Sequence, residues 1–99
     1  MDIEFKDQSY DRLETDGSFT MGFQAHIVTL YRKRLAFIRA APDERDFYAL
    51  KGLHFEKLKG DRLGQYSMRL NDQWRLIIEF LKREKGKVVV VISVVDYHR

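Results

Sequence analysis

Asp96, Tyr97 and His98 put a carboxylate, a phenol and an imidazole in a row just before Arg99. They follow Val-Val-Val-Val-Ile-Ser-Val-Val at 88–95, a run whose β-branched residues suit a buried strand. Polar groups at a fraying chain end do chemistry only where something fixes them. All three can pass protons, and histidine suits the task best because its ordinary pKa lies near ~6.5. A second set lies upstream. Glu56, Lys57 and Lys59 belong to Glu-Lys-Leu-Lys-Gly, Arg62 follows, and Arg69 and Arg75 flank Asn71-Asp72-Gln73.

Side-chain alternation around those arginines narrows the arrangement. A two-residue loop at Asn71-Asp72 would set Met68 against Arg75 and Arg69 against Trp74, charge against core on both faces. A three-residue loop over 71–73 sets Leu70 against Trp74 and Met68 against Leu76, and Asn or Asp tolerates the left-handed residue such loops contain. This better register brings Arg69 directly opposite Arg75. Like charges so placed destabilise a strand pair by roughly 0.2–1 kcal/mol. Either both side chains splay into solvent or pair with acids such as Glu79, or the two planar forks flank an anion, phosphate being the best fit. Lys57, Lys59 and Arg62 just upstream favour the anion.

If 88–95 is a central strand, Asp96, Tyr97 and His98 leave it at the sheet's edge, near the strands that carry the arginines. RNA cleavage needs such parts: a base for the ribose 2′-OH, cations for the phosphorane, and an acid for the departing 5′-oxygen. It requires neither a protein nucleophile nor a metal. His98, Tyr97, Asp96 and Glu56 can supply acid and base; Arg69, Arg75 and Lys59 can supply charge. The blander alternatives are a Tyr97 that closes the core and a His98 that is a solvated tail.

These groups need a scaffold. Residues 3–5 read as a short strand and 9–15 as a short helix stopped by Gly17. The main helix is expected over 23–41, where Ile27, Leu30, Tyr31, Leu35, Ile38 and Ala41 form one apolar stripe. Pro42 ends it, and a further short helix runs over 46–50. Arg32, Lys33 and Arg39 lie off the stripe and read as a solvated face with a possible second role in gripping ribosomal RNA. From Leu53 the period becomes two, with Tyr66, Met68 and Leu70, then Trp74, Leu76, Ile78 and Phe80, on one face. A turn at 84–86 leads to the valine strand, apolar on both faces and so expected near the sheet's centre. Helices first and a β-meander afterwards make an α+β domain.

Composition sets the outer bounds. The 99 residues form one domain, 1–99, and a hydrophobic fraction of 44% rules out a disordered chain. With no cysteine there is neither a disulfide scaffold nor a thiolate zinc site, which suits a reducing cytoplasm. No signal peptide is evident in the first residues, and the longest apolar run falls far short of the ~20 residues of a membrane-spanning helix. Net charge is only +3, from 18 basic and 15 acidic residues, so the location of charge matters more than its total. Gly60 and Gly64 are no P-loop, since Gly-Lys-Ser/Thr is missing.

Leu-Lys-Gly-Asp-Arg (58–62), Arg-Leu-Asn-Asp-Gln-Trp-Arg (69–75) and Asp-Tyr-His (96–98), in this order and spacing, closely resemble the HigB toxins of the RelE superfamily, the plasmid-maintenance killer group of type II toxin–antitoxin systems. The similarity is strong over 55–98; the N-terminal half shares the helix layout. It implies a small microbial-RNase-like fold, an antiparallel meander with N-terminal helices on one face. It also implies cofactor-free, metal-independent cleavage of mRNA in the ribosomal A site, arrest of translation, and neutralisation by a helix-turn-helix antitoxin of the HigA kind. Operator DNA would be bound only by the toxin–antitoxin complex. By the same resemblance Asp96, Tyr97 and His98 carry catalysis, while Lys59, Arg69 and Arg75 contact RNA. Some members have a catalytic histidine two residues before Leu-Lys-Gly; here that position is Glu56, so which group is the base stays open. His54 falls two residues short of it and is not assigned to the site. The other reading is a catalytically inactive module of this fold that grips RNA or its antitoxin.

Overall fold

The helical period gives way to strand alternation after Leu53, and the computed structural model, which describes residues 1–97, divides there. Strand β1 (Asp2–Phe5) is followed by helices α1 (Gln8–Thr15), α2 (Ala25–Ala40) and α3 (Arg45–Ala49). Strands β2 (Glu56–Lys57), β3 (Tyr66–Arg69), β4 (Trp74–Arg83) and β5 (Gly86–Asp96) complete the chain, with single 3₁₀ turns at Lys51–Leu53 and Gly60–Arg62. Among the described residues the sheet order is β1-β5-β4-β3-β2. The meander β2 to β5 is antiparallel as expected. Strand β1 joins it in parallel, beside β5, which a strand of four residues gave no way to foresee.

The apolar stripe of α2 buries Ile27, Tyr31, Leu35 and Ile38, with Ala41 just beyond the helix. Val28 is buried too, whereas Leu30 is only partly covered. They pack with Leu13, Phe47 and Leu53 against one face of the sheet, formed by Met68, Leu70, Leu76, Ile78, Val89, Val91 and Val94. Asp7 caps α1, accepting from the Ser9 amide at 2.8 Å, a bond of the kind worth about 1 kcal/mol. Arg39 and Lys33 are exposed, as expected of a solvated face, whereas Arg32 is partly covered, and both arginines are fastened to α1. Arg32 donates to the Leu13 and Asp16 carbonyls at 3.0 and 2.9 Å, satisfying the end of α1. Arg39 grips Glu14 with both arms of its fork, at 2.9 and 2.8 Å. These cations fasten α1 to α2; Lys33 alone of the three is an unfastened, exposed cation among the described residues.

One irregularity positions the end of β5. Ile77 pairs with Ser93, but the next residue, Ile78, pairs with Val91, so Ile92 is an extra residue in β5. Alternation reverses there: Val91 and Val94, three apart, both face the core. The Val94 amide donates to the Tyr10 hydroxyl at 3.0 Å, and the Tyr10 carbonyl accepts from the Tyr31 hydroxyl at 2.7 Å. Burial pushes the Tyr31 phenol far above its ordinary pKa, so it stays a proton donor. The bulge and this buried pair of tyrosines fix the strand that presents the chain's tail.

Candidate functional site

The face of the sheet away from the helices carries Ser67 and Arg69 on β3 and Arg75 on β4. Arg69 stands directly opposite Arg75, in the register that the three-residue loop requires. The Leu70 amide donates to the Trp74 carbonyl at 2.9 Å, and the Asn71 carboxamide oxygen accepts the Gln73 and Trp74 amides at 2.9 and 2.8 Å. An asparagine side chain thus closes the turn between the two arginines.

The two guanidiniums are not equivalent. Arg75 is 8% exposed, and its Nη1 donates to the Ser67 hydroxyl at 3.1 Å and to the His54 carbonyl at 3.0 Å. Glu56 on β2 brings a carboxylate oxygen to 3.9 Å of the same nitrogen. Arg69 is more exposed and pairs with Asp72, three residues on, in the turn. The acids that answer the like-charge pair are therefore Asp72 and Glu56. Glu79, the acid expected there, instead accepts from the Gln65 side chain at 3.1 Å.

Parity decides what the tail offers. Because the Ile92 bulge reverses alternation, Val95 pairs with Arg75 and Asp96 with Trp74, and the Tyr97 amide donates to the Gln73 carbonyl at 2.6 Å. Tyr97 accordingly shares the arginines' face, its ring centroid 4.8 Å from Arg75 Cζ. Asp96 alternates to the Trp74 side and accepts from the Gln73 side chain at 3.0 Å. His98 lies outside the described residues.

A cavity of about 360 Å³ opens here, lined by His54, Arg69, Asn71, Asp72, Arg75 and Tyr97. It is cationic at its floor and aromatic at one wall. A larger hollow of about 580 Å³, at the opposite end of β5 around Pro42, Glu44 and Lys87, contains none of these groups. Of the residues singled out from sequence, Arg69, Arg75 and Tyr97 line the smaller cavity, Glu56 stands beside it, and Asp96 turns to the Trp74 side. Three others are not brought to it. Lys57 pairs with Tyr66 and so alternates to the other face, Lys59 is exposed before the turn at Gly60, and Arg62 donates to the Gln65 carboxamide at 3.0 Å.

His54 is the lining residue that sequence reading left out. It ends the 3₁₀ turn at Lys51–Leu53 in the left-handed conformation, with φ 46° and ψ 46°. Its Nε2 lies 3.3 Å from Arg69 Nη1. Only its closeness in sequence to Glu56, two residues ahead of β2, hinted at it.

A floor of paired guanidiniums, with proton-carrying side chains at the rim, suits an oxyanion that carries a transferable proton nearby. Comparison with known proteins bears on which. The family model described as the RelE-like toxin of type II toxin–antitoxin system HigB matches residues 3–98. Toxin HigB-1 of Vibrio cholerae is 31% identical over 81 residues, 82% of this chain and 85% of that protein. Among solved structures, a YoeB/ParE toxin from Agrobacterium tumefaciens superposes with TM-score 0.60 at 19% identity, covering 99% of this chain and all of that one. A YoeB–YefM complex from Staphylococcus aureus gives 0.56 at 20% identity, covering 100% and 98%. The structural likenesses establish the shared α+β fold. The family match over almost the whole sequence says more: the chain belongs to the HigB-like toxins, RelE-like toxins of type II toxin–antitoxin systems.

Proposed function

We propose that this toxin is an endoribonuclease that cuts mRNA in the A site of the translating ribosome by attack of a ribose 2′-OH on the adjoining phosphate. The observation that carries this reading is the convergence of Arg69, Arg75 and Tyr97 on one cavity large enough for a phosphodiester. Arg75, held by Ser67 and the His54 carbonyl, is a fixed positive charge that need not reorganise as the phosphorane forms. Arg69 is the adjustable partner: it exchanges Asp72 for the phosphate. Tyr97 packs against the Arg75 guanidinium and lines the cavity, and its phenol serves proton transfer to the departing 5′-oxygen; His98, which lies outside the described residues, is assigned to the same task. Asp96 positions the tail through Gln73, and Glu56 tunes Arg75 from β2. Lys57, Lys59 and Arg62 guide the approaching RNA from outside the cavity.

A helix-turn-helix antitoxin neutralises the toxin, and operator DNA is bound by the pair together, in the cytoplasm. The experiment is induction of the gene in a bacterial host without its antitoxin. Growth should stop and cut mRNA should accumulate, and the Tyr97→Ala, His98→Ala double variant should relieve both. Toxicity undiminished in that variant would remove the tail from the mechanism.

One observation favours a second reading, a catalytically silent module that grips RNA or antitoxin. The carboxylates of Asp72 and Glu56 already neutralise part of the cationic floor. Binding to ribosomes without new RNA ends would select it.

A further inference from the structure

We propose that His54 is the general base of the cleavage, taking the proton from the attacking 2′-OH at its Nε2; the assignment rests on the ribonuclease reading above. Three independent features of the residue lead to it. First, it lines the cavity that holds both arginines and Tyr97, whereas Glu56, at the position where some relatives carry a histidine, does not.

Second, its neighbour is matched to an accepting nitrogen. A guanidinium has donors only, so the 3.3 Å contact between Arg69 Nη1 and His54 Nε2 is a hydrogen bond only if Nε2 carries a lone pair. In that bonded arrangement Nε2 is the accepting atom, on a residue that lines the cavity. When Arg69 swings to the phosphate, that lone pair is released beside the substrate.

Third, the backbone is built to hold it. Among the described residues only Met21 and His54 are non-glycine residues with positive φ. A left-handed histidine of this kind costs of order 1 kcal/mol and persists where its surroundings enforce it. Here the enforcement is visible: its amide donates to the Lys51 carbonyl at 3.1 Å and its carbonyl accepts from buried Arg75 at 3.0 Å. The guanidinium that stabilises the phosphate thereby also aims the base.

The step balances without a co-reactant. The 2′-OH proton passes to Nε2, O2′ bonds to phosphorus, and the P–O5′ bond breaks. The 5′-oxygen leaves protonated by Tyr97. The products are a 2′,3′-cyclic phosphate and a 5′-hydroxyl.

The test uses the full chain on translating ribosomes, comparing wild type with His54→Asn, which tolerates left-handed backbone, and with His54→Ala. Folding is verified by thermal melting. Cleavage should fall by ~10²–10⁴-fold in both, the range for loss of a general base, with the Asn variant melting as wild type does. Free imidazole should restore part of the activity of His54→Ala, which a merely structural role would not allow. Wild-type cleavage by His54→Asn, or a defect in His54→Ala that imidazole leaves unchanged, would overturn the assignment while the ribonuclease reading stands. Failure of the wild-type chain itself to cut would overturn both.

Discussion

Tyr97 lies over the guanidinium of Arg75, 4.8 Å from ring centroid to Cζ, although Arg75 is on β4 and Tyr97 follows β5. The contact exists because Ile92 is an extra residue in β5. Without that bulge, strict alternation from Val91 would send Tyr97 to the helix-covered face and bring Asp96 to the arginines. Sheet parity, set by the bulge four residues before Asp96 and braced by Tyr10, therefore selects which tail group meets the cationic floor.

Arg75 serves stability and the site together. Arg75→Lys keeps the charge but lacks the planar fork that reaches the Ser67 hydroxyl and the His54 carbonyl at once. A buried acceptor left without its donor costs about 1–3 kcal/mol. The urea midpoint should fall accordingly, and cleavage should fall with it. A variant with an unchanged midpoint would show that the two bonds do not hold β3 and the His54 cap to β4.

Asp72 competes with substrate. Its side chain is 93% exposed, and its pairing with Arg69 is a surface ion pair worth at most about 1 kcal/mol. Asp72→Asn should leave the melting temperature nearly unchanged and raise affinity for single-stranded RNA. The salt dependence of binding should steepen as another cation becomes available to phosphate. Fluorescence anisotropy against salt concentration measures both; weaker binding would contradict the assignment.

Arg32 and Lys33 are neighbours with different duties. Arg32→Ala removes two charge-assisted bonds from the end of α1, at about 1–3 kcal/mol, whereas Lys33→Ala should stay within about 0.5 kcal/mol of wild type. Once folded, both should cleave at the wild-type rate. Reduced cleavage in Lys33→Ala alone would revive the helix as an RNA contact.

Acid should loosen two surface turns. Asp16 is lowered to about 2 by the Ser18 hydroxyl and amide and by Arg12; Asp43 is lowered to about 2 by the Arg45 side chain and amide. Both values lie below the ordinary carboxylate value, so these carboxylates stabilise the fold above pH ~4 and the contribution disappears as pH falls toward about 2. Carboxyl resonances of these two residues, followed by NMR, should titrate late. Midpoints near the ordinary carboxylate value would contradict the hydrogen bonds.

The hairpin between the arginines was legible because period-two alternation and an Asn-Asp-Gln loop leave one register that keeps charge out of the core. The α2 stripe was legible for the same kind of reason, and so was the interior place of the valine strand, which lies between β1 and β4 although β4 is the central strand. Their very uniformity hid the bulge: when residues on both faces are β-branched, one more isoleucine leaves no mark on the pattern. His54 was missed because a left-handed cap takes its residue out of strand periodicity. The clamp made by Arg32 and Arg39 was missed because it depends on where α1 docks, which is tertiary information.

Chemical analysis of the RNA ends made on translating ribosomes tests the central claim most directly. Wild-type chain should leave a 2′,3′-cyclic phosphate on the upstream fragment and a 5′-hydroxyl on the downstream one, and Arg69→Ala should abolish both while the chain still folds. Ends of any other kind, or the same ends at the same rate in Arg69→Ala, would mean that the arginine-floored cavity is not where RNA is cut.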